Sequence, residues 1–393
     1  MSTSTRITTI DIFRALTMLM MLFVNDFAGM SNIPHFLEHA KMTEDMLGFS
    51  DLVFPAFLFC VGLSIPFSIA NRRKKGDSDA QIILHIIERS VFLIIMGIFS
   101  MNGRTVEGGI PRYAISIAVV VAYFLLWNAY PKADGARKWL FKGLQILGAA
   151  LLIGIVIYKD VNGIHFTHSW WGILGLIGWA YGICALTYVF LKGKFRNVLA
   201  AWIVVTVLCI LNTLPCIPKE YSLRALFLSF YPGGWTHPAF VMAGAFASTA
   251  LVKYAGKDYK KSWYPLMMLC IGAIMFVFGL ASHQVWIISK IQATPAWLFY
   301  SLAIFFPLLA LLYYLCDIKQ HTKWAALIKP AGVATLTAYM LPSIWYALMS
   351  AFGVSYPSVF CSGGLGLLRS FVFAHVIIGL TWCLGKAKIK LKL

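Results

Sequence analysis

Apolar stretches of about twenty residues recur along the whole of this chain of 393 residues, and each is long enough to cross hydrocarbon about 30 Å thick as an α-helix. Inside lipid every backbone N–H and C=O needs a partner within the protein, which leaves helices and closed barrels as the only spanning structures. A barrel would alternate polar and apolar residues over segments of about ten, and the sequence has no such alternation. The reading is therefore an all-α, polytopic membrane protein, a bundle of about 12 (11–12) transmembrane helices. The spans fall at roughly 8–29, 50–71, 81–101, 112–130, 138–158, 168–191, 198–216, 235–254, 263–282, 295–316, 330–351 and 364–385. No stretch between them is large enough for a soluble domain, so residues 1–393 are read as a single transmembrane domain.

A net charge of +18 raises the question of a nucleic-acid partner. The distribution answers it, because the cations sit in short loops between spans rather than on one face. With the N-terminus inside, the segments NRRKKGDSD, PKADGARK, KGKFRN, KYAGKDYKKS and DIKQHTK and the tail KAKIKLKL share one side and hold most of the 33 Lys and Arg. The other side has Lys41, Arg104, Arg112, Lys159, Lys219, Arg224 and Lys290. That asymmetry predicts both termini in the cytoplasm and the loop around His35–Asp45 outside. The partner it implies is the lipid bilayer, with no nucleic acid. Trp170, Trp171, Trp235, Trp286, Trp297 and Trp345 lie near span ends, where an aromatic belt places them. Gly244 and Ser248, four apart, suggest a close contact between helices.

Polar residues are scarce at 12% charged, and they crowd into residues 10–64. The first span, IDIFRALTMLMMLFVNDFAG, carries Asp11, Arg14, Asn25 and Asp26. The loop SNIPHFLEHAKMTEDMLGFS carries His35, Glu38, His39, Glu44 and Asp45, and Asp51 opens the second span. Ionisable groups at the membrane are costly and mark functional sites by default. Asp11 and Arg14, three apart, read as an ion pair on one helical face or as a contact to an anionic group. Asn25 reads as interhelical glue or as a site residue. HFLEH matches H-x-x-E-H, the inverted zinc-peptidase signature, yet few glutamates remain to supply a third ligand. A histidine general base fits better, since its ordinary pKa near 6.5 lets it take a proton at neutral pH, and Asp51 is placed to orient the ring. Among the other histidines, His165, His168, His237 and His283 fall outside and could line a cavity, while Arg369 with His375 sits in the last span.

The strings TIDIFRA, LFVND, EHAKM and SDLVFPAFLFCVGLSI, with the later WAALIKPAGVATLTAYMLP, resemble the heparan-alpha-glucosaminide N-acetyltransferase family and its bacterial relatives. These are transmembrane acyltransferases that use acetyl-CoA. Ala15, Met42 and Ala334 stand where the family has Gly, Trp and Asn. The resemblance implies that His39, rather than His35, is the catalytic histidine. It makes Asn25 a polar partner near the transferred acyl group, with Asp51 in support. It also implies that acetyl-CoA arrives from the cytoplasm and that the acceptor is the amine or hydroxyl of a saccharide outside. Arg14, Arg72, Arg73 and Lys74 are the candidate contacts to CoA, with no metal in the chemistry. A bacterial inner membrane is the expected location, and a homodimer is left open. The rival readings are a multi-helix secondary transporter for a small polar solute and a metal-dependent intramembrane hydrolase using HFLEH.

Overall fold

The computed structural model describes residues 7–103, 109–167, 172–217, 234–254 and 262–392. Their elements are helical, with isolated bridges between Ser31 and Ser362 and between Asn128 and Leu391. In chain order the helices are α1 (Thr8–Phe27), α2 (Phe49–Lys74), α3 (Asp79–Met101), α4 (Arg112–Trp127), α5 (Ala136–Val161), α6 (Ile173–Phe190) and α7 (Phe195–Thr213). Then follow α8 (Thr236–Tyr254), α9 (Trp263–His283), α10 (Pro295–Tyr313), α11 (Lys329–Val333), α12 (Thr335–Ala351) and α13 (Gly363–Lys386). Each expected span coincides with one of the longer helices. The late span starts at Thr335 rather than near residue 330 because Ala334, at φ −128° and ψ 50°, separates the short α11 from α12. The protein is an all-α polytopic membrane protein. Among the described residues eight helices are long and apolar enough to cross a bilayer, and α4 is a shorter apolar one. α1, with Asp11, Arg14 and Asp26, and α8, rich in Ala, Gly, Ser and Thr, fall outside that set.

The chain divides into two compact units. The first takes residues 1–17, 34–93 and 176–326, and the second takes 18–33, 94–175 and 327–393. In the first, α8 is buried on every face from Thr236 to Leu251, as a helix surrounded by protein should be. It meets α2 backbone to backbone. A Cβ on Gly62 would fall 2.8 Å from the Val241 carbonyl carbon, and one on Gly244 would fall 2.9 Å from the Leu63 amide. Small residues permit that approach, and Ser248 fastens it by donating to the Leu63 carbonyl at 2.6 Å. Around the contact Phe59 packs on Phe13, Phe305 and Phe306, and Trp202 stacks on Phe246. The first turn of α1 is capped by Asp317, which accepts from the Thr8 and Thr9 amides at 3.3 and 3.0 Å; a carboxylate suits the unpaired donors of a helix start.

In the second unit α4 packs on α5 and α12, and the Tyr123 hydroxyl donates to the Met96 carbonyl. The tail is tied down by Lys392 N–H to the Trp127 carbonyl and by Leu391 N–H to Thr337 Oγ1. Asp26 accepts from Arg369 at 2.8 Å and from the Tyr346 hydroxyl, while Tyr356 stacks on the Arg369 guanidinium.

Candidate active site

The polar loop of residues 35–48 is shaped by its return onto the start of α2. Gly48 caps the helix, and a side chain there would strike the Glu38 carbonyl. That close approach puts Asp51, in the first turn of α2, directly beneath the loop. Its carboxylate is almost fully buried, with 2% of the side chain exposed. One oxygen accepts from the Ala40 amide at 2.9 Å, and the other meets His39 Nδ1 at 2.7 Å. An ionised carboxylate only accepts, so this bond places the ring proton on Nδ1 and the lone pair on Nε2. The imidazole is 41% exposed. A buried acid orienting a reachable histidine is the arrangement a general base needs.

A third group joins them from far along the chain. Lys290, in the α9–α10 loop, places Nζ 3.2 Å from His39 Nδ1 and 3.7 Å from Asp51 Oδ1. Burial pushes its ammonium below the ordinary lysine range, and the charge of Asp51 pulls the other way. The loop carrying Lys290 is pinned to the histidine loop. Ile288 N–H donates to Asp45 at 2.8 Å, His283 bonds the same carboxylate at 2.8 Å, and Gln292 Nε2 donates to the Met42 carbonyl at 2.7 Å. Burial raises Asp45, but the Ile288 amide and His283 outweigh it and hold the carboxyl below its usual range. The floor of the site is Trp297, which is fully buried and donates from Nε1 to the Asp51 carbonyl at 3.2 Å. This corrects the expectation that Trp297 sits in an interfacial belt: its ring packs edge-on against Phe240 in the core. His237 on α8 lies edge-on to Phe54 and within range of the charge on Lys290.

The remaining candidates are placed as follows. His35 bonds Glu38 at 3.1 Å and Glu44 at 2.5 Å. Those bonds, Glu44 foremost, hold the ring above the ordinary histidine range. Glu44 is held low, first by the Lys41 amide and then by His35. The two histidines of HFLEH are thus committed to different carboxylates, and the segment is one short 3-10 turn, His35–Leu37, rather than the helix a zinc-peptidase motif occupies. Among the described residues no three His, Cys, Asp or Glu gather to hold a metal ion. Arg14 donates to Ser64 at 2.6 Å and pairs with Asp11 at 3.5 Å. Arg72 pairs with Asp77 and Arg73 with Asp79, at 2.8 and 2.9 Å, and Lys74 is exposed. This basic cluster ends the same helix that Asp51 begins, about 30 Å away along the axis. Asn25 belongs to the second unit and is exposed in the last turn of α1. Of the four scattered histidines, His237 and His283 come to the site, His165 is exposed in the second unit, and His168 lies outside the described residues, as do Trp170, Trp171, Arg104, Lys219 and Arg224.

A family model described as a domain of unknown function, DUF5009, matches residues 6–240. The chain belongs to the DUF5009 family. The matched region takes in α1, the histidine loop and α2, and so includes His39 and Asp51 but stops short of Lys290. The chain is also similar to heparan-alpha-glucosaminide N-acetyltransferase of Mus musculus, 29% identical over 142 residues, covering 33% of this chain and 21% of that protein. To the Homo sapiens enzyme of the same name it is 34% identical over 97 residues, covering 25% of this chain and 14% of that protein. The aligned stretches thus span about a fifth or less of those relatives.

Sequence reasoning missed Lys290 as a site residue. The signal was present: a lone cation in a loop on the side that the charge asymmetry leaves poor in Lys and Arg. It is visible only to a reader who asks why that loop breaks the pattern.

Proposed function

We propose that this DUF5009 member is a membrane acetyltransferase that moves an acetyl group from cytoplasmic acetyl-CoA to the amine or hydroxyl of a saccharide on the outer side, with the whole chain acting as one transmembrane domain. The observation that carries the proposal is the 2.7 Å bond from His39 Nδ1 to the buried carboxylate of Asp51, which leaves Nε2 as a proton acceptor. The names of the similar mouse and human proteins support the reaction class. In the proposed step the acceptor nitrogen or oxygen attacks the thioester carbonyl and gives its proton to Nε2. The tetrahedral intermediate then collapses, the carbon–sulfur bond breaks, and CoA leaves as the thiolate. The basic end of α2, with Arg72, Arg73 and Lys74, is assigned to the phosphates of CoA, and Arg14 lies between it and the catalytic end. The charge asymmetry of the loops supports cytoplasmic termini, and the resemblance to bacterial relatives supports an inner-membrane location.

The direct test is purified protein with radiolabelled acetyl-CoA and glucosamine. Label transfer that depends on acceptor and falls at least about 100-fold in His39→Ala, the usual worth of a general base, is the expected result. Undiminished transfer in His39→Ala would remove His39 as the base.

A further inference from the structure

Lys290 stands in a relation to His39 that the general-base reading does not use. Its Nζ, the His39 Nδ1 and Asp51 Oδ1 form a triangle with sides of 3.2, 3.7 and 2.7 Å. Only one proton fits between nitrogens 3.2 Å apart. If the ammonium donated to Nδ1, the ring proton would move to Nε2 and the base would be lost. The shorter distance, from Nδ1 to the carboxylate, favours the other arrangement, in which Nδ1 donates to Asp51 and the ammonium is held by the same oxygen. A fixed cation beside the ring then opposes a second positive charge on it.

The lysine is held there by structure rather than by chance. Thr294 Oγ1 donates to the Ile287 carbonyl at 2.8 Å and accepts from the Ser289 amide at 3.1 Å, which closes the loop on both sides of Lys290. Thr236 on α8 donates to the Ala293 carbonyl at 2.6 Å, and Asp45 accepts from Ile288. The titratable groups facing Lys290 are His39 on the histidine loop, Asp51 on α2 and His237 on α8, with Asp45 and His283 further along the same pair of loops.

We propose that Lys290 is a positioning residue for His39: held beside Nδ1 and tied to Asp51, it resists a second positive charge on the imidazole, so that Nε2 stays open to the acceptor's proton. This rests on His39 being the base of an acyl transfer. Removing the cation lets the ring hold a proton to higher pH. Because the base works only when uncharged, the acidic limb of the rate profile moves to higher pH.

The test is the pH dependence of acetyl transfer for wild type, Lys290→Gln, Lys290→Met and Lys290→Arg, together with NMR titration of the His39 ring in 13C-histidine protein, its signal assigned by its absence in His39→Ala. Lys290→Gln and Lys290→Met, one polar and one apolar, both shift the acidic limb and the His39 midpoint upward by about one unit. Lys290→Arg, which keeps the cation, retains the wild-type midpoint. Coincident midpoints in wild type and the charge-removed variants, or an Arg variant shifted as far as Gln, would overturn the proposal. The ring titration needs no turnover, so it decides the role of Lys290 even where wild type transfers no acetyl group or His39→Ala transfers it freely, outcomes that sink the acyltransferase reading instead.

Discussion

At the scale of residues, the site depends on which ring nitrogen holds a proton. Asp51→Asn keeps the shape and can still accept from the Ala40 amide through its oxygen. Its NH2 then faces Nδ1 as a donor and forces the ring proton onto Nε2. Turnover should fall about 10²- to 10⁴-fold with little change in folding, measured as transfer rate beside the thermal midpoint of the detergent-solubilised protein. An equal loss of rate and of folded protein would mean that Asp51 is only structural. The pairing of His39 with Asp51 was legible because the two lie twelve apart, across a short loop that returns to a helix start. Lys290 was not, because it lies 251 residues from His39 and is brought there by the α9–α10 loop. Asp45 carries the same lesson. It reads as one more acid in a polar loop, yet it staples that loop to His283 and Ile288.

The histidine loop also has a pH dependence of its own. His35 is raised by its glutamate partners, so its contribution is complete below 6.5, its ordinary value, and fades as pH rises through the raised one. Glu44 and Asp45 are lowered, so theirs are present above 4.5 and 3.8 and fade as pH falls through the lowered values. The window where all act together lies between 4.5 and 6.5. Hydrogen exchange of residues 35–48, corrected for intrinsic rates, should therefore be slowest near pH 5.5. Protection that rises steadily to pH 8 would contradict the clamp.

At the scale of elements, α2 does two things: it begins with the acid that orients His39, and its middle holds α8 at glycine distance. Gly244→Val would drive two methyls toward the Phe59 carbonyl and Leu63 amide, and backbone atoms there cannot give way. The helices must separate, at a cost of about 1–3 kcal/mol typical of overpacking. A lower thermal midpoint is expected, with lost activity in proportion to lost fold. A midpoint equal to wild type would mean that the contact is not tight. This contact was legible from Gly244 and Ser248, although their partner helix was not. The spans themselves were legible because a bilayer demands about twenty apolar residues whatever the packing. The break at Ala334 escaped notice because an irregular dihedral leaves no mark on hydropathy. Trp297 was misplaced because an aromatic at a helix start looks the same in sequence whether it meets headgroups or fills a core.

At the scale of the whole molecule, the account asks one chain to bring a donor and an acceptor from opposite sides of a membrane to one histidine. The charged loops argue for the sidedness, and the two ends of α2 argue for the separation: Asp51 at one, Arg72 to Lys74 at the other. Sealed inverted vesicles test both together. Radiolabelled acetyl-CoA is added to the exposed cytoplasmic face, and glucosamine is trapped within. Wild-type vesicles should accumulate labelled N-acetylglucosamine in the lumen, and His39→Ala vesicles of equal protein content should not. Labelling of lumenal acceptor by His39→Ala at the wild-type rate, or labelling by wild type only when donor and acceptor share one side, would contradict the account.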